Sequence, residues 1–502
     1  MKKNRLVKKN RLASFLVFFV LFAFLLSGAV FAQITYVDNT DGDDFVGLGT
    51  QSSPYKTIAK GIAVTPVGGT VSIAGDVYGE ATVVIGKALT LVANADNGRN
   101  TVTITNGVEI NTTNATDVVS LGVTGEKFNL GSTANALTLT KGNLQITSAN
   151  VTIDGGGGII RTAGTINNTP TTTNVNVTYN GTVDITSGPE LPANIGTGIL
   201  TVAITTGKKA TFSRGLTTTG GVTVTTGDVD ITGDLNLSTS NFTNNGGAVT
   251  INGNVSHTTG TFTNNGGAVT INGNVAFTDG RLINASAANM TVSGNAEWVN
   301  DAMAAVKMID NTGNGNLTIS GAVTFARKTG LTIDGNGGNI WNGGTGTLTL
   351  AQGFTTPAND KGKITGLIDA INNYTGKIAF GGTVVLDDLT NNAGGTVELT
   401  GGTVAGTVGN TAASSTIELK ANTTFSGATV NNSNAASVIK LNSNTLTLSN
   451  AGCTVTNTGK IISNTAATVG NGVVAITGGS TITGGELPNV TVAAGKTLSL
   501  NG

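Results

Sequence analysis

The stretch FTNNGGAVTINGNV occupies residues 242–255 and recurs unchanged at 262–275, an offset of 20 residues. Self-similarity at such a period marks a solenoid, in which each repeat is one turn of a stack. The lattice reaches outward from the identical pair. Val229, Val249 and Val269 form one apolar column, Ile231, Ile251 and Ile271 a second, and Leu235, Val255 and Val275 a third. Gly233, Gly253 and Gly273 keep a fixed place between them.

Short segments of the same character run through the chain: VTITNG (102–107), LTLTKG (137–142), VTIDGG (151–156), VDITSG (183–188), LTISGA (317–322), LTIDGN (331–336), VELTGG (397–402) and LTLSN (446–450). Val, Leu and Ile alternating with Thr suit a pleated surface with one buried face. Gly and Asn at the ends permit the left-handed turns that close each coil. The expected fold is all-β, a single-stranded parallel β-helix (β-solenoid) with strands stacked at ~4.8 Å. A sandwich would not preserve a 20-residue register of Val, Ile and Gly. Asn pairs recur at turn-like places, Asn244-Asn245, Asn264-Asn265 and Asn391-Asn392. Either their amides hydrogen-bond up the stack as a ladder, or Asn merely tolerates the turn.

Composition agrees with a folded but unusual chain. Charged residues are 11 % of 502, against ~25 % in ordinary soluble domains. With 73 glycines and 7 prolines, the chain falls below the ~25–30 % Gly plus Pro of disordered sequences. The first 32 residues differ in kind. Lys2, Lys3, Arg5, Lys8, Lys9 and Arg11 precede an apolar run from Phe15 to Leu26, and Val30-Phe31-Ala32 offers a cleavage site before Gln33. The run is shorter than the ~20 residues of a spanning helix, so it reads as a signal peptide. Its removal takes away six basic residues and moves the net charge from −1 to −7. That argues against a nucleic-acid partner, and leaves the membrane a role only during export. Cys453 is the single cysteine, which excludes an intrachain disulfide.

The end of a β-helix needs a cover, because an exposed strand edge invites aggregation. Ser53 as N-cap, Pro54 at the first helical position, and Ile58, Ile62 and Ala63 on one face predict a capping helix over 54–64. Residues 34–93 around it resemble the start of pectate-lyase-like right-handed parallel β-helix proteins. The motifs are Tyr36-Val37-Asp38, an Asp/Gly loop, Gly49-Thr50, Pro54 to Ile58, Gly69 to Ile73, and Asp76 to Glu80. The resemblance implies the fold and its right-handedness. It does not imply lyase activity, since many members are not enzymes.

Enzymes of that superfamily use clustered Asp residues with a Gly-His-Gly turn, or carboxylate-bound calcium with a basic residue that abstracts a proton. Asn39-Thr40-Asp41 and Asp43-Asp44 echo the acidic elements but precede the capping helix. The one histidine, His257, replaces Leu237 and Phe277 of neighbouring repeats and reads as a wall position. Arg161, Arg214, Arg281 and Arg327 are scattered, and Trp298 and Trp341 are the only tryptophans. No catalytic residue is assigned. The best metal candidate is the loop carrying Asp38, Asp41, Asp43 and Asp44, where a structural calcium ion could gather several carboxylates. The alternative is a solvated Asp/Gly turn leading into the helix. The Asp/Gly runs at 154–158 and 334–338 lack a tandem nonapeptide period and read as tight turns.

Two stretches leave the pattern and could be excursions from the wall or irregular coils. One is VNDAMAAVKMI at 299–309. The other is 361–377, with Ile364, Leu367, Ile368 and Ile371 at helix spacing. The expected organisation is a signal peptide (1–32), a cap with the first coils (33–110) and β-helix repeats (111–502). The final strand at 497–500 carries no cap of its own, so the repeats are expected to continue beyond it, or the last coil to self-associate. The functional expectation is a secreted or cell-surface structural or adhesive solenoid, non-enzymatic, presenting a Thr/Asn-rich surface to an extracellular polysaccharide or protein. Resemblance to large secreted repeat proteins places it outside a Gram-negative bacterium. The alternative is a polysaccharide-active enzyme, lyase or glycosidase, or a carbohydrate-binding module on the same fold.

Overall fold

The computed structural model describes residues 33–95, 98–131, 133–154, 156–300, 307–327, 339–355, 368–462, 473–476, 480–483, 488–492, 494 and 498–501. The signal segment 1–32 and the stretch 331–336 therefore lie outside the described residues. What is described is a parallel β-solenoid of about 16 turns with almost no helix. It divides into two compact units. One runs through Gly157 and takes in Gly164–Thr172; the other comprises Gly158–Ala163 and the chain from Thr173 onward.

In the first unit the strand Ile34–Val37 opens a six-stranded parallel sheet. Val71 and Leu91 are partners there, as are Leu91 and Leu121, and all three are fully buried. A second sheet is built on Thr101–Ile104 and Lys127–Leu130, and a third wall on Val83–Ile85, Val108–Asn111 and Leu137–Lys141.

The capping helix is Ile58–Val64, four residues later than its expected start. Its N-cap is Thr57, whose hydroxyl accepts from Lys60 N, and not Ser53. Pro54 is not helical because the next residue is needed elsewhere. Tyr55 N donates to Tyr36 O and Tyr55 O accepts from Asp38 N, which ties this segment to the first strand. The helix start is then fixed by side chains from distant turns. Glu80 accepts from Ile58 N (2.7 Å) and Ala59 N (2.9 Å), an anion placed where a helix needs one. Ile58 and Ile62 are buried as expected, whereas Ala63 is exposed. The third inward position is Gly61: a Cβ there would come within 2.5 Å of Val37, so only glycine lets the helix lie this close to the first strand.

The second unit carries the 20-residue repeat. Each turn has three walls, seen in Asp228–Ile231, Leu235–Leu237 and Phe242–Asn244. The next turn repeats them in register: Val229 and Ile231 pair with Val249 and Ile251, which pair with Val269 and Ile271. These six side chains are buried, and Ile231, Ile251 and Ile271 are fully so. The core is thus a set of apolar columns, each extended by one residue per turn.

The third wall ends at a corner, where the chain leaves the strand while still inside the dry interior. Ten asparagines occupy that corner in ten turns: Asn244, Asn264, Asn284, Asn311, Asn342, Asn372, Asn391, Asn410, Asn432 and Asn457. All are fully buried. Each Nδ2 donates to Oδ1 of the next, at 2.7–3.1 Å, in one unbroken ladder. The second amide proton serves a corner carbonyl, for example Gly247 O from Asn244 and Gly395 O from Asn391. Oδ1 of Asn244 also accepts from Gly246 N, and that of Asn264 from Gly266 N. The orientation of Asn342 follows from its neighbours, since Asn311 presents Nδ2 to it and Asn372 presents Oδ1. Of the two readings of the Asn pairs, the structure bears out the ladder, and its rungs are the first members. The second member stacks outside: Asn265 donates to Asn245 at 3.0 Å.

The ladder tolerates large changes in turn length. Its members are separated by 20 residues at first, then by 27, 31 and 30, then by 19, 19, 22 and 25. The long turns contain both irregular stretches, inserted between the second and third walls. Of 299–309, Val299 and Asn300 end a second-wall strand and Lys307 begins a third-wall strand, while 301–306 lie outside the described residues. Of 361–377, Ile368 is buried, as are Ala370 and Asn372 on the strand Asp369–Asn372, Ile371 is half-buried, residues 373–375 are exposed, and 361–367 lie outside. Near the C-terminus, Ser480–Thr483 pairs in parallel with Leu498–Asn501.

Removing one rung leaves two buried amides and a corner carbonyl short of partners, each worth about 1–3 kcal/mol. Asn264→Leu is therefore expected to destabilise the protein by several kcal/mol, although it adds apolar volume. Asn265→Leu, on the exposed ladder, is expected to change stability by under ~0.5 kcal/mol. Urea unfolding followed by circular dichroism checks the pair, and equal effects would show that the buried ladder does not hold the corner.

Candidate binding surface

Outward-facing positions also copy down the stack. On the first wall of the second unit, Thr250, Thr270, Thr291, Thr318 and Thr349 stand in register. On the third wall the column is Thr178, Thr201, Thr223, Thr243 and Thr263. Further along the first wall the column turns ionic at Glu398, Glu418 and Lys440. There Lys377 pairs with Glu398 at 2.7 Å, Lys420 with Glu418 at 2.9 Å, and Lys440 with Glu418 at 3.0 Å. Partial burial would raise the Glu418 carboxyl, but hydrogen bonds from Asn442, Lys420 and Lys440 outweigh it and hold the pKa at about 2.

The second wall bears a groove of about 380 Å³. Its lining includes Thr217, Asn236, Ser256, Ala276 and Glu297. These are register neighbours on five successive strands, so the groove runs along the solenoid axis. Ser256 Oγ donates to Asn236 Oδ1 at 2.6 Å, and Asn236 Nδ2 reaches Thr217 Oγ1 at 3.5 Å. Leu237, His257 and Phe277 contribute the wall itself.

His257 stands where the repeat places it, between Leu237 and Phe277. It is 3 % exposed and heads an aromatic column: His257 stacks on Phe277 (5.4 Å), Phe277 on Trp298 (5.3 Å), and Trp298 leans on Phe325 (5.5 Å). Neither ring nitrogen has a hydrogen-bond partner. Burial disfavours the imidazolium and pushes the pKa down to about 4, opposed only weakly by the nearby Thr259 backbone. Trp298 is buried in this column, whereas Trp341 lies half-buried on the outer side of the third wall, in register with Asp310 and Ile371.

The acidic loop is built as a set of separate turns. Asp38 Oδ1 accepts from Thr40 N and Asp41 N, and its Oδ2 lies 3.6 Å from Arg99. Asp43 Oδ1 accepts from Phe45 N and Val46 N, and those two bonds, Val46 first, lower its pKa. Asp44 accepts from Lys56 N, Thr57 N and Thr57 Oγ1, and so secures the residues just before the helix. Asp41 is exposed. Among the described residues no three His, Cys, Asp or Glu side chains converge into a metal-holding group.

Sequence reading missed one buried ionic group. Arg161 (7 % exposed) pairs with Glu190, which has no exposed surface. Glu190 Oε1 also accepts from Tyr179 Oη (2.9 Å) and Gly188 N (2.8 Å), and Arg161 Nη1 donates to Thr186 O (2.8 Å). Burial first, and the Glu190 charge second, push the Tyr179 hydroxyl well above its ordinary pKa. Arg161 and Tyr179 are register partners, and Tyr179 pairs onward with Val202. Val202 pairs with Val224 and Val224 with Asn244, so the group sits in the column that later becomes the Asn ladder. The only available signal was Glu190 itself, a charge between two prolines in a chain poor in charge. Arg281 is likewise paired, with Asp310 at 3.4 Å.

The His257 shift has a definite sign. With a pKa of 6.5 unfolded and about 4 folded, its stabilising contribution is complete above pH 6.5. It is lost as pH falls toward 4, by about 3 kcal/mol in all. Carboxylates such as Glu418, held low in the fold, act only below their unfolded pKa of 4.5, whereas Asp369, raised by burial to about 6, acts with the opposite sign, so in the interval from pH 6.5 to 5 the histidine's part is the difference between the wild type and a variant without it. His257→Phe is expected to remove that part from the stability profile, and an unchanged slope in urea titrations would refute the assignment. Compared with known protein families, curated proteins and solved structures, the chain matches none.

Proposed function

We propose that this chain is a secreted or cell-surface structural and adhesive β-solenoid, non-enzymatic, that presents a repetitive Thr/Asn surface to an extracellular polysaccharide or protein. The observation that carries the reading is the register of Thr250, Thr270, Thr291, Thr318 and Thr349, five hydroxyls repeated one turn apart on one wall. A rigid stack offers such a column without the ordering cost that a flexible surface has to meet on binding. Export is supported by the basic and apolar segment before Gln33, a pectate-lyase-like relationship by the motifs of residues 34–93, and a Gram-negative surface by the resemblance to large secreted repeat proteins. The second reading, a polysaccharide-active enzyme or carbohydrate-binding module, is supported by the axial groove.

Retention of the protein on bacterial surface material is the direct test. Thr270→Lys with Thr291→Lys places two charges in the column and leaves the core untouched. Retention is expected to fall several-fold with no change in Tm. Equal retention would remove the Thr wall from the function, and release of reducing or unsaturated sugar from a polysaccharide would establish the enzyme instead.

A structural calcium ion on Asp38, Asp41, Asp43 and Asp44 is a separate proposal, supported by the density of carboxylates in one short loop. Binding would have to draw on oxygens not already engaged by the backbone, with Asp41 the most accessible. The expected outcome is a higher Tm in calcium than in chelator, lost in Asp43→Asn with Asp44→Asn. Identical melting curves would leave the loop with its turn-forming role alone.

A further inference from the structure

We propose that the loop carrying Phe45, Val46 and Leu48 is a membrane-docking tip that inserts into the surface of a lipid bilayer without net charge. The inference goes beyond the adhesive reading, and nothing in it depends on the Thr wall.

The loop puts apolar side chains where the fold gives them almost nothing to touch. Phe45 is 98 % exposed, Val46 75 % and Leu48 74 %, the three most exposed large apolar side chains among the described residues. Single exposed apolar residues are ordinary, but three within a run of four mark a contact surface. The tip is also held in place. Asp43 Oδ1 accepts from Phe45 N at 2.7 Å and from Val46 N at 3.0 Å, and Asp43 O accepts from Gly47 N at 3.0 Å. Leu48 N donates to Ser53 O at 2.9 Å. Asp44 ties the loop to the start of the capping helix through Lys56 N and Thr57 N.

Three features choose a bilayer over a protein. Area is the first. At ~200 Å² each, the size of an aromatic side chain, the three offer about 600 Å² at most. That is short of the ~800 Å² per partner in a stable protein interface. The backbone is the second. The N–H groups of four consecutive residues, 45 to 48, are all satisfied inside the loop. In hydrocarbon an unpaired donor has no water to turn to, so a tip that enters it has to bring its acceptors along. Position is the third. Gly49 O accepts from Tyr36 N at 3.0 Å, so the base of the loop lies beside the strand Ile34–Val37. Seven residues, 27–33, separate that strand from the apolar run ending at Leu26, and at ~3.5 Å each they reach ~25 Å. An apolar run held in a bilayer therefore keeps the tip near the same bilayer.

Charge sets the kind of lipid. Asp41 and Asp43 are exposed beside the tip, and Lys56 offsets only part of their charge. An anionic surface repels such a loop. Apolar insertion needs no attraction between charges, so the membrane gains a role past export that the acidic balance of the chain did not suggest. The attachment is reversible. The three side chains hold about as much apolar carbon as one myristoyl chain, which binds a bilayer with K of about 10⁴ M⁻¹.

The experiment is flotation of the chain from Gln33, which contains every described turn, with phosphatidylcholine vesicles in chelator. Half of the protein is expected to float at ~0.1 mM accessible lipid. Phe45→Ser with Leu48→Ser is expected to weaken binding at least tenfold at unchanged Tm. Val183→Ser, at an apolar side chain 45 % exposed in the second unit, is expected to bind as the wild type does. Phe45→Trp is expected to keep binding, with emission moving to the blue as vesicles are added. No binding, equal binding by the double Ser variant, or Phe45→Trp emission that vesicles leave unmoved would each overturn the proposal. Binding that requires phosphatidylglycerol would overturn it too. A dimer that forms without vesicles and is lost in the double Ser variant would assign the tip to a second copy of this chain instead.

Discussion

A chain wound into a solenoid has to turn corners inside its own dry interior, and each corner strands backbone groups that water cannot reach. In this protein the buried Asn column answers that constraint. An asparagine amide carries two donors and one acceptor with two lone pairs, enough to bond the turn above, the turn below and the local corner at once. From Asn244 to Asn457 every rung is fully buried and every rung is bonded to the next. Hydrogen bonds aligned in such a chain polarise one another, and an interior of low dielectric makes a missing one costly. The ladder is therefore both a source of stability and a device that fixes register.

Register fixed at one corner frees the rest of the turn. Between Asn311 and Asn372 the turns grow to 31 and 30 residues, yet the first-wall partners Leu317, Leu348 and Ile378 remain aligned. The large insertions of these turns enter between the second and third walls, where the corner column does not constrain the backbone. Where the ladder has not begun, other chemistry occupies the same column. Arg161 and Tyr179 there both bond Glu190 Oε1, while Oε2 is buried without a hydrogen bond, at the greater desolvation cost of a buried ion pair.

Stacking also decides what surface the protein has. A residue type chosen once in the repeat becomes a column at ~4.8 Å spacing when the repeat is copied. Thr in the middle of a Val-Thr-Ile strand thus becomes a row of hydroxyls, and the change to Glu and Lys after Ala379 becomes an ionic row. The groove arises differently. It lies on the one wall where the inward column switches from Leu237 to His257, Phe277 and Trp298, side chains of increasing width.

The period of 20, the alternation of Val and Ile with Thr, and the Gly and Asn ends were enough to read a parallel solenoid and to align Ile231, Ile251 and Ile271. Those are local signals repeated many times, and stacking is the one arrangement that keeps each copy in the same environment. The wall position of His257 was legible for the same reason. The helix start was not. Ser53 and Pro54 carry the right local chemistry, but Tyr55 is claimed by the first strand and Glu80 supplies the anion, and both contacts join residues far apart in the chain. Asn244 and Asn245 look alike in the sequence, and only the direction of the strand at the corner buries one and exposes the other. The Arg161–Glu190 pair and the groove share this origin. Repetition writes the architecture into the chain, whereas meetings between residues that do not repeat exist only once the stack has formed.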